Sequence, residues 1–238
     1  KISKLTKNGN VMKIRHNYID AGSGEPLILL HGNGESCEYF EHQIAYFQKY
    51  YRVIALDTRG HGKTERGTAP FTIAQFAEDL YKFMQSLKIE KAHILGFSDG
   101  GNIALVIALK YPECVDKLIL NGANLYSSGV RPTVQVPIII GYKIASLFAG
   151  KSPEAKKNAE MLGLMVNDPN LTQEEVSQIK NRTLVIAGTK DMIKTKHSRL
   201  IADSIPDSKL VFIPGNHFIA NKKPEQFNME VERFLKEK

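Results

Sequence analysis

Cysteine is nearly absent: Cys37 and Cys114 are the whole supply in 238 residues. Two thiols cannot build a disulfide framework and their spacing matches no metal site, so free thiols in a reducing, cytoplasmic compartment are expected. No block of five like charges occurs either. The formal charge of +7 is therefore spread along the chain rather than gathered into a polyanion-binding tract, and no nucleic-acid partner is expected. Bilayer-length apolar runs are missing too. The most apolar long stretch, "VQVPIIIGYKIASLF" at 134–148, is too short to span and is interrupted by Pro137, Gly141 and Lys143. It is expected to be covered by protein, with no membrane partner. A charged head followed by an apolar signal core is lacking at the start, although the chain begins at Lys1 without Met, which leaves a removed upstream segment open.

What is present is an ordinary globular balance, 42% hydrophobic and 24% charged, enough apolar side chain for one large α/β domain with or without an insertion. Short β-branched runs alternate with longer segments of helical period, the pattern of a mostly parallel sheet flanked by helices. The strands read as "PLILLHG", "YRVIALD", "AHILGF", "DKLILNGA", "TLVIAG" and "KLVFIPG". Between the second and third, Ile73, Phe76, Ala77, Leu80, Phe83, Met84 and Leu87 recur at helical steps behind a capping box of Thr72 and Gln75. The Asn-Gly pair in "SKLTKNGNVMKIRHNYIDAG" predicts an antiparallel hairpin at one sheet edge. Over 125–181 the strand-helix rhythm stops. This segment reads as a helical insertion, leaving 1–124 and 182–238 as the core. Met161, Leu162, Leu164 and Met165 give it an apolar face, and Thr172 with Glu175 opens a further helix. Helices packed only on each other are one reading; a lid whose flexible methionines shape a pocket is the other.

In such a sheet ligands bind beyond the carboxyl ends of the strands, so the polar residues just past each strand are the ones to collect. "HGNG" at 31–34, "GFSDG" at 96–100, Asp191 and His217 fill four of those turns. They provide backbone donors, a hydroxyl, an acid and a base. Gly96 and Gly100 let Ser98 sit on a sharp strand-to-helix turn, with the next helix aiming its N-terminal amides at the same spot. Asp116, Asp168, Asp203 and Asp207 also lie between Ser98 and His217, but none directly follows a predicted strand. Among the other histidines, His16, His42 and His197 are expected in solvent, His93 at a strand start, and His31 and His61 in loops near the site.

The order Ser, Asp, His, each past its own strand, together with "HGNG", "DTRGHGKT" and the terminal "GNHF", resembles the α/β-hydrolase superfamily along essentially the whole chain. The elbow reading Gly-x-Ser-Asp-Gly-Gly is most similar to small lidded esterases of the valacyclovir hydrolase type. That resemblance implies an α/β-hydrolase sheet with a helical lid over 125–181 and a triad of Ser98 as nucleophile, His217 as base then acid, and Asp191 as orienting carboxylate. It also implies an oxyanion hole from the Asn33 and Asp99 amides. Gly32, Met161 and Met165 are the expected substrate-contacting positions. The implied activity is serine hydrolysis of a small carboxylic ester through an acyl-enzyme, without metal or cofactor, by a monomer or homodimer. Asp99 has two readings: a helix cap, or a partner for a substrate ammonium. A carbon–carbon bond hydrolase of the meta-cleavage-product type and a non-enzymatic receptor keeping the triad are the alternatives. The first is disfavoured because this chain has "HGNGES" where those enzymes have "HGxGPG".

Overall fold

The computed structural model describes residues 14–237. In chain order the elements are β1 (Tyr18–Ala21), β2 (Pro26–Leu30), α1 (Glu41–Phe47), β3 (Arg52–Leu56), α2 (Ile73–Ser86), β4 (Ala92–Phe97), α3 (Asp99–Lys110) and β5 (Val115–Asn121). There follow α4 (Pro132–Phe148), α5 (Pro153–Asn167), α6 (Gln173–Val176), β6 (Arg182–Gly188), α7 (Thr195–Ser204), β7 (Ser208–Ile213), α8 (Ile219–Lys222) and α9 (Pro224–Lys236). Among the described residues the strands form one sheet in the order β1-β3-β2-β4-β5-β6-β7. Every pairing is parallel except β1 with β3. The six strands read from the sequence are therefore the six parallel ones, and β1 lies at the edge. The first arm of the expected hairpin falls outside the described residues.

The buried runs are apolar on both sides because helices cover both faces, as parallel sheets require. Alternate residues go to opposite layers. Ile28, Leu30, Ile54, Leu56, Ile94, Leu118 and Leu120 pack with α2, α3 and α7, whereas Leu27, Leu29, Val53, Leu95, Ile119 and Ile186 pack with α1, α8 and α9. Burying each such side chain contributes about 1.5–3 kcal/mol. Helix α2 starts at Thr72, whose side chain accepts from the Gln75 amide. The expected reciprocal half of the box is not made, because Gln75 donates through Nε2 to Asp79 instead, at 3.0 Å. Asp79 is drawn into that role by Arg59, which grips it bidentately at 2.7 Å in a buried pair. At Thr172 both halves of the box form.

Between β5 and β6 the chain forms α4, α5 and α6, with α4 and α5 packed on each other. The expectation that 134–148 is covered needs correcting. Gln135 is buried and Ile138, Ile139, Tyr142 and Ala145 are half-buried. The opposite side, however, leaves Val136, Ile140, Ile144, Leu147 and Phe148 exposed. A helix apolar all round has two faces to cover, and this pairing covers one.

Candidate active site

Adjacent parallel strands deliver their turns to one end of the sheet. β2 and β4 are in register with Leu30 opposite Gly96, so the 31–34 turn lies beside the 97–99 turn. The fit is close. A Cβ at Gly100 would stand 2.0 Å from the Leu30 carbonyl oxygen, and one at Gly96 2.1 Å from that of Gly100. Only hydrogen fits at either place, which is why glycines flank the serine.

Ser98 itself has φ 53° and ψ −119°. A non-glycine residue in this region is strained by its Cβ, and it persists only where the surroundings impose it. Here the Ser98 amide continues the β4–β5 ladder to the Asn121 carbonyl at 2.8 Å, while its own carbonyl accepts from Gly101 and Asn102 as α3 begins. The turn leaves Ser98 Oγ 3.0 Å from His217 Nε2. His217 follows β7, and its Nδ1 lies 2.7 Å from Asp191 Oδ1. The Asp191 carboxylate, past β6, also accepts from the Ile193 amide at 2.9 Å. Asp191 and His217 are both buried. Gly122, with φ +64°, makes room for the ring, since a Cβ there would come within 2.7 Å of His217 Cε1.

The 31–34 loop is held by histidine chemistry turned inward. His31 donates through Nδ1 to the Gly32 carbonyl at 2.7 Å and accepts at Nε2 from the Thr58 amide at 3.1 Å. Burial keeps it neutral by lowering its pKa. His61 approaches the Arg59 carbonyl at 2.9 Å, and burial with the neighbouring His31 pushes it down to about 4. Both rings fasten loops. The Gly32 amide is engaged by Glu35 Oε2 at 3.2 Å. Asn33 reaches across the chain to donate from Nδ2 to the Met161 carbonyl on α5 at 2.7 Å. Met161 is thus beside the 31–34 loop. Met165 sits one turn further along α5, where its carbonyl accepts from Gln135. At the other side of the serine, the Asp99 amide opens α3 and has no partner within the helix by position alone.

The Asp99 side chain is buried, and among the described residues its Oδ2 has no partner. Among those residues Oδ1 receives only a long 3.4 Å bond from Asn102 Nδ2. Burial, reinforced by the nearby Asp168 carboxylate, pushes its pKa up to about 7. Glu35 stands beside the 31–34 loop, its Oε2 accepting from the Gly32 amide. Burial raises it to about 7 as well, against the Gly32 amide and the nearby His217 ring, which favour its ionised form. Its only sequence signal is its position in "HGNGES". Two histidines expected in solvent are not there. His197 is buried, accepts from the Leu125 amide at 2.9 Å and is lowered to about 4 by burial. His16 is half-buried, 3.0 Å from the Asp57 carbonyl.

Sheet order, crossover helices and strand-end residues define the α/β-hydrolase fold, and the chain has it. The family model described as the alpha/beta hydrolase fold matches residues 25–139. Among curated relatives, the human serine hydrolase BPHL is 27% identical, covering 98% of this chain and 86% of its own. The 2-hydroxymuconate semialdehyde hydrolase of Pseudomonas putida is 28% identical over 94% of this chain and 91% of its own. Among solved structures, the meta-cleavage product hydrolase CumD from Pseudomonas fluorescens IP01 superposes with a TM-score of 0.76 at 27% identity, covering 93% of this chain and 94% of that one. The chain has the α/β-hydrolase fold and is similar in sequence to hydrolases of that fold, BPHL among them.

Proposed function

We propose that this protein is a serine esterase acting on small carboxylic esters through an acyl-enzyme. The observation that carries the reading is the continuous line Ser98 Oγ, His217 Nε2, His217 Nδ1, Asp191 Oδ1 at 3.0 and 2.7 Å, starting from a strained elbow. His217 removes the Ser98 proton as Oγ attacks the ester carbonyl, and Asp191 holds the ring tautomer and stabilises the imidazolium. The carbonyl oxygen becomes an anion met by the Asn33 and Asp99 amides. The tetrahedral centre collapses, the alcohol leaves with the proton from His217, and water repeats the sequence to free the acid. No metal or cofactor enters. Residues 125–181 form the lid on this reading, with Gly32 giving close backbone approach and Met161 and Met165 shaping the acyl pocket; the Asn33–Met161 bond supports that arrangement. Two buried free thiols favour a reducing, cytoplasmic setting.

The finer reading is an ester bearing an α-amino group. A buried carboxylate with an unpartnered oxygen, next to a site that must hold an oxyanion, is costly unless a cation answers it. Asp99→Asn keeps the backbone amide and removes the charge, so the kcat/KM ratio of amino over neutral ester should fall by roughly tenfold to a hundredfold. An unchanged ratio removes the amino-ester reading and leaves the esterase intact. The likeness to CumD favours a second reading, carbon–carbon bond hydrolysis by the same three residues. Turnover of an ester panel beside a ring-fission dienoate decides: esters alone support the proposal, the dienoate alone replaces it, and negligible turnover of both points to a receptor.

A further inference from the structure

The exposed face of α4 is a continuous apolar stripe. Val136, Ile140, Ile144 and Leu147 are 51%, 53%, 53% and 78% exposed, and Phe148 is 43% exposed. Their steps of four, four, three and one place them on one side of the helix. The stripe's charge is one-sided. From residue 126 to residue 153 the chain has no Asp or Glu, but it has Arg131, Lys143 and Lys151. All three are exposed, one at each end of α4 and one along it. Lys151 lies over the Phe148 ring at 4.5 Å, which holds a cation at the edge of the apolar surface.

We propose that α4 is a docking face for an anionic lipid surface, lying in its plane with the stripe among the acyl-chain ends and Lys143 and Lys151 at headgroup level. With its other side packed on α5, α4 presents outward the aliphatic and aromatic stripe with basic residues beside it that a helix lying in a lipid interface presents. The length that excludes a span does not bear on lying flat. No helix among the described residues is long and apolar enough to cross a membrane. A second copy of the chain fits less well. A two-fold contact through α4 would bring Lys143 toward its own copy, with no acid in the 126–153 segment to pair with it.

The test is co-sedimentation of the full chain with phosphatidylcholine vesicles and with vesicles also containing phosphatidylglycerol. Each basic side chain held at an anionic surface strengthens binding roughly fivefold. Binding to the anionic vesicles should therefore exceed binding to the neutral ones by about 25-fold. Ile140→Ser with Ile144→Ser and Leu147→Ser should abolish it, with the melting temperature as the control for folding. Lys143→Glu with Lys151→Glu, which keeps every aliphatic side chain of the stripe and gives up only the Lys151 contact with the Phe148 ring, should weaken it at least about 25-fold. Absence of binding, equal binding to both vesicles, or variants that bind as the parent does would overturn the proposal. So would a dimer in solution that the triple serine variant dissociates, since the occupant would then be a second copy.

Discussion

At the scale of single residues, the site depends on geometry that few side chains could supply. Ser98 is held at a positive φ between two glycines that have no room for a Cβ, and its hydroxyl meets one imidazole. If Ser98 and His217 act as a unit, Ser98→Ala and His217→Ala should each lower kcat by at least about 10³-fold, and the double variant should lose little more. Asp191→Asn should be severe but milder than either, because the hydroxyl and imidazole remain while the tautomer is wrong. Single-turnover and steady-state rates on the best ester measure this; additive losses in the double variant would contradict a shared step. Ser98, Asp191 and His217 are readable in the sequence because each directly follows an apolar run, and that position alone carries them to the same end of the sheet. His197 and Glu35 are not readable in that way. The burial of His197 depends on the Leu125 amide, 72 positions away, and Glu35 gains its environment from packing beneath the Gly32 turn.

At the scale of elements, strand content follows directly from the sequence because parallel strands are apolar on both faces and short. Helix α2 follows because its buried residues recur at three and four. The surroundings of helix α4 do not follow from its own sequence. Its composition requires cover on all sides, but α5 supplies only one face, and no local pattern says which elements will meet. The Thr72 and Gln75 pair shows the same limit, since a capping signal three residues long cannot anticipate that Arg59 will recruit Asp79 and, with it, Gln75. Helix α5 touches the site through the Met161 carbonyl. Met161→Ala with Met165→Ala should therefore shift the preference among acyl chain lengths while leaving the rate of reaction with a small phosphonate within about twofold, because the phosphonate reports on the serine alone. Equal losses in both assays would mean damaged packing and would remove the lid reading.

At the scale of the whole molecule, buried titratable groups pull stability in two directions. Burial lowers His16, His31, His61, His93 and His197, the third and fifth of these to about 4. The unfolded chain therefore binds more protons than the folded one below the ordinary histidine value of 6.5, and stability falls as pH drops from there. Asp99 and Glu35 are raised to about 7, so the folded chain holds their protons longer and stability falls as pH rises from their ordinary values of 3.8 and 4.5 toward about 7. Against parent, Asp99→Asn should show no stability gain near pH 4 and a gain of up to a few kcal/mol by about pH 8, read from denaturant midpoints. A gain that instead grows toward acid would contradict the buried, unpartnered carboxylate.

An acyl-enzyme route requires that Ser98 become covalently attached during turnover. Intact-mass measurement after treatment with a serine-reactive phosphonate, followed by peptide mapping, tests it most directly. One adduct per chain on the peptide containing Ser98, absent in Ser98→Ala, is the predicted result. No adduct, or one carried by another residue and kept in Ser98→Ala, would contradict it.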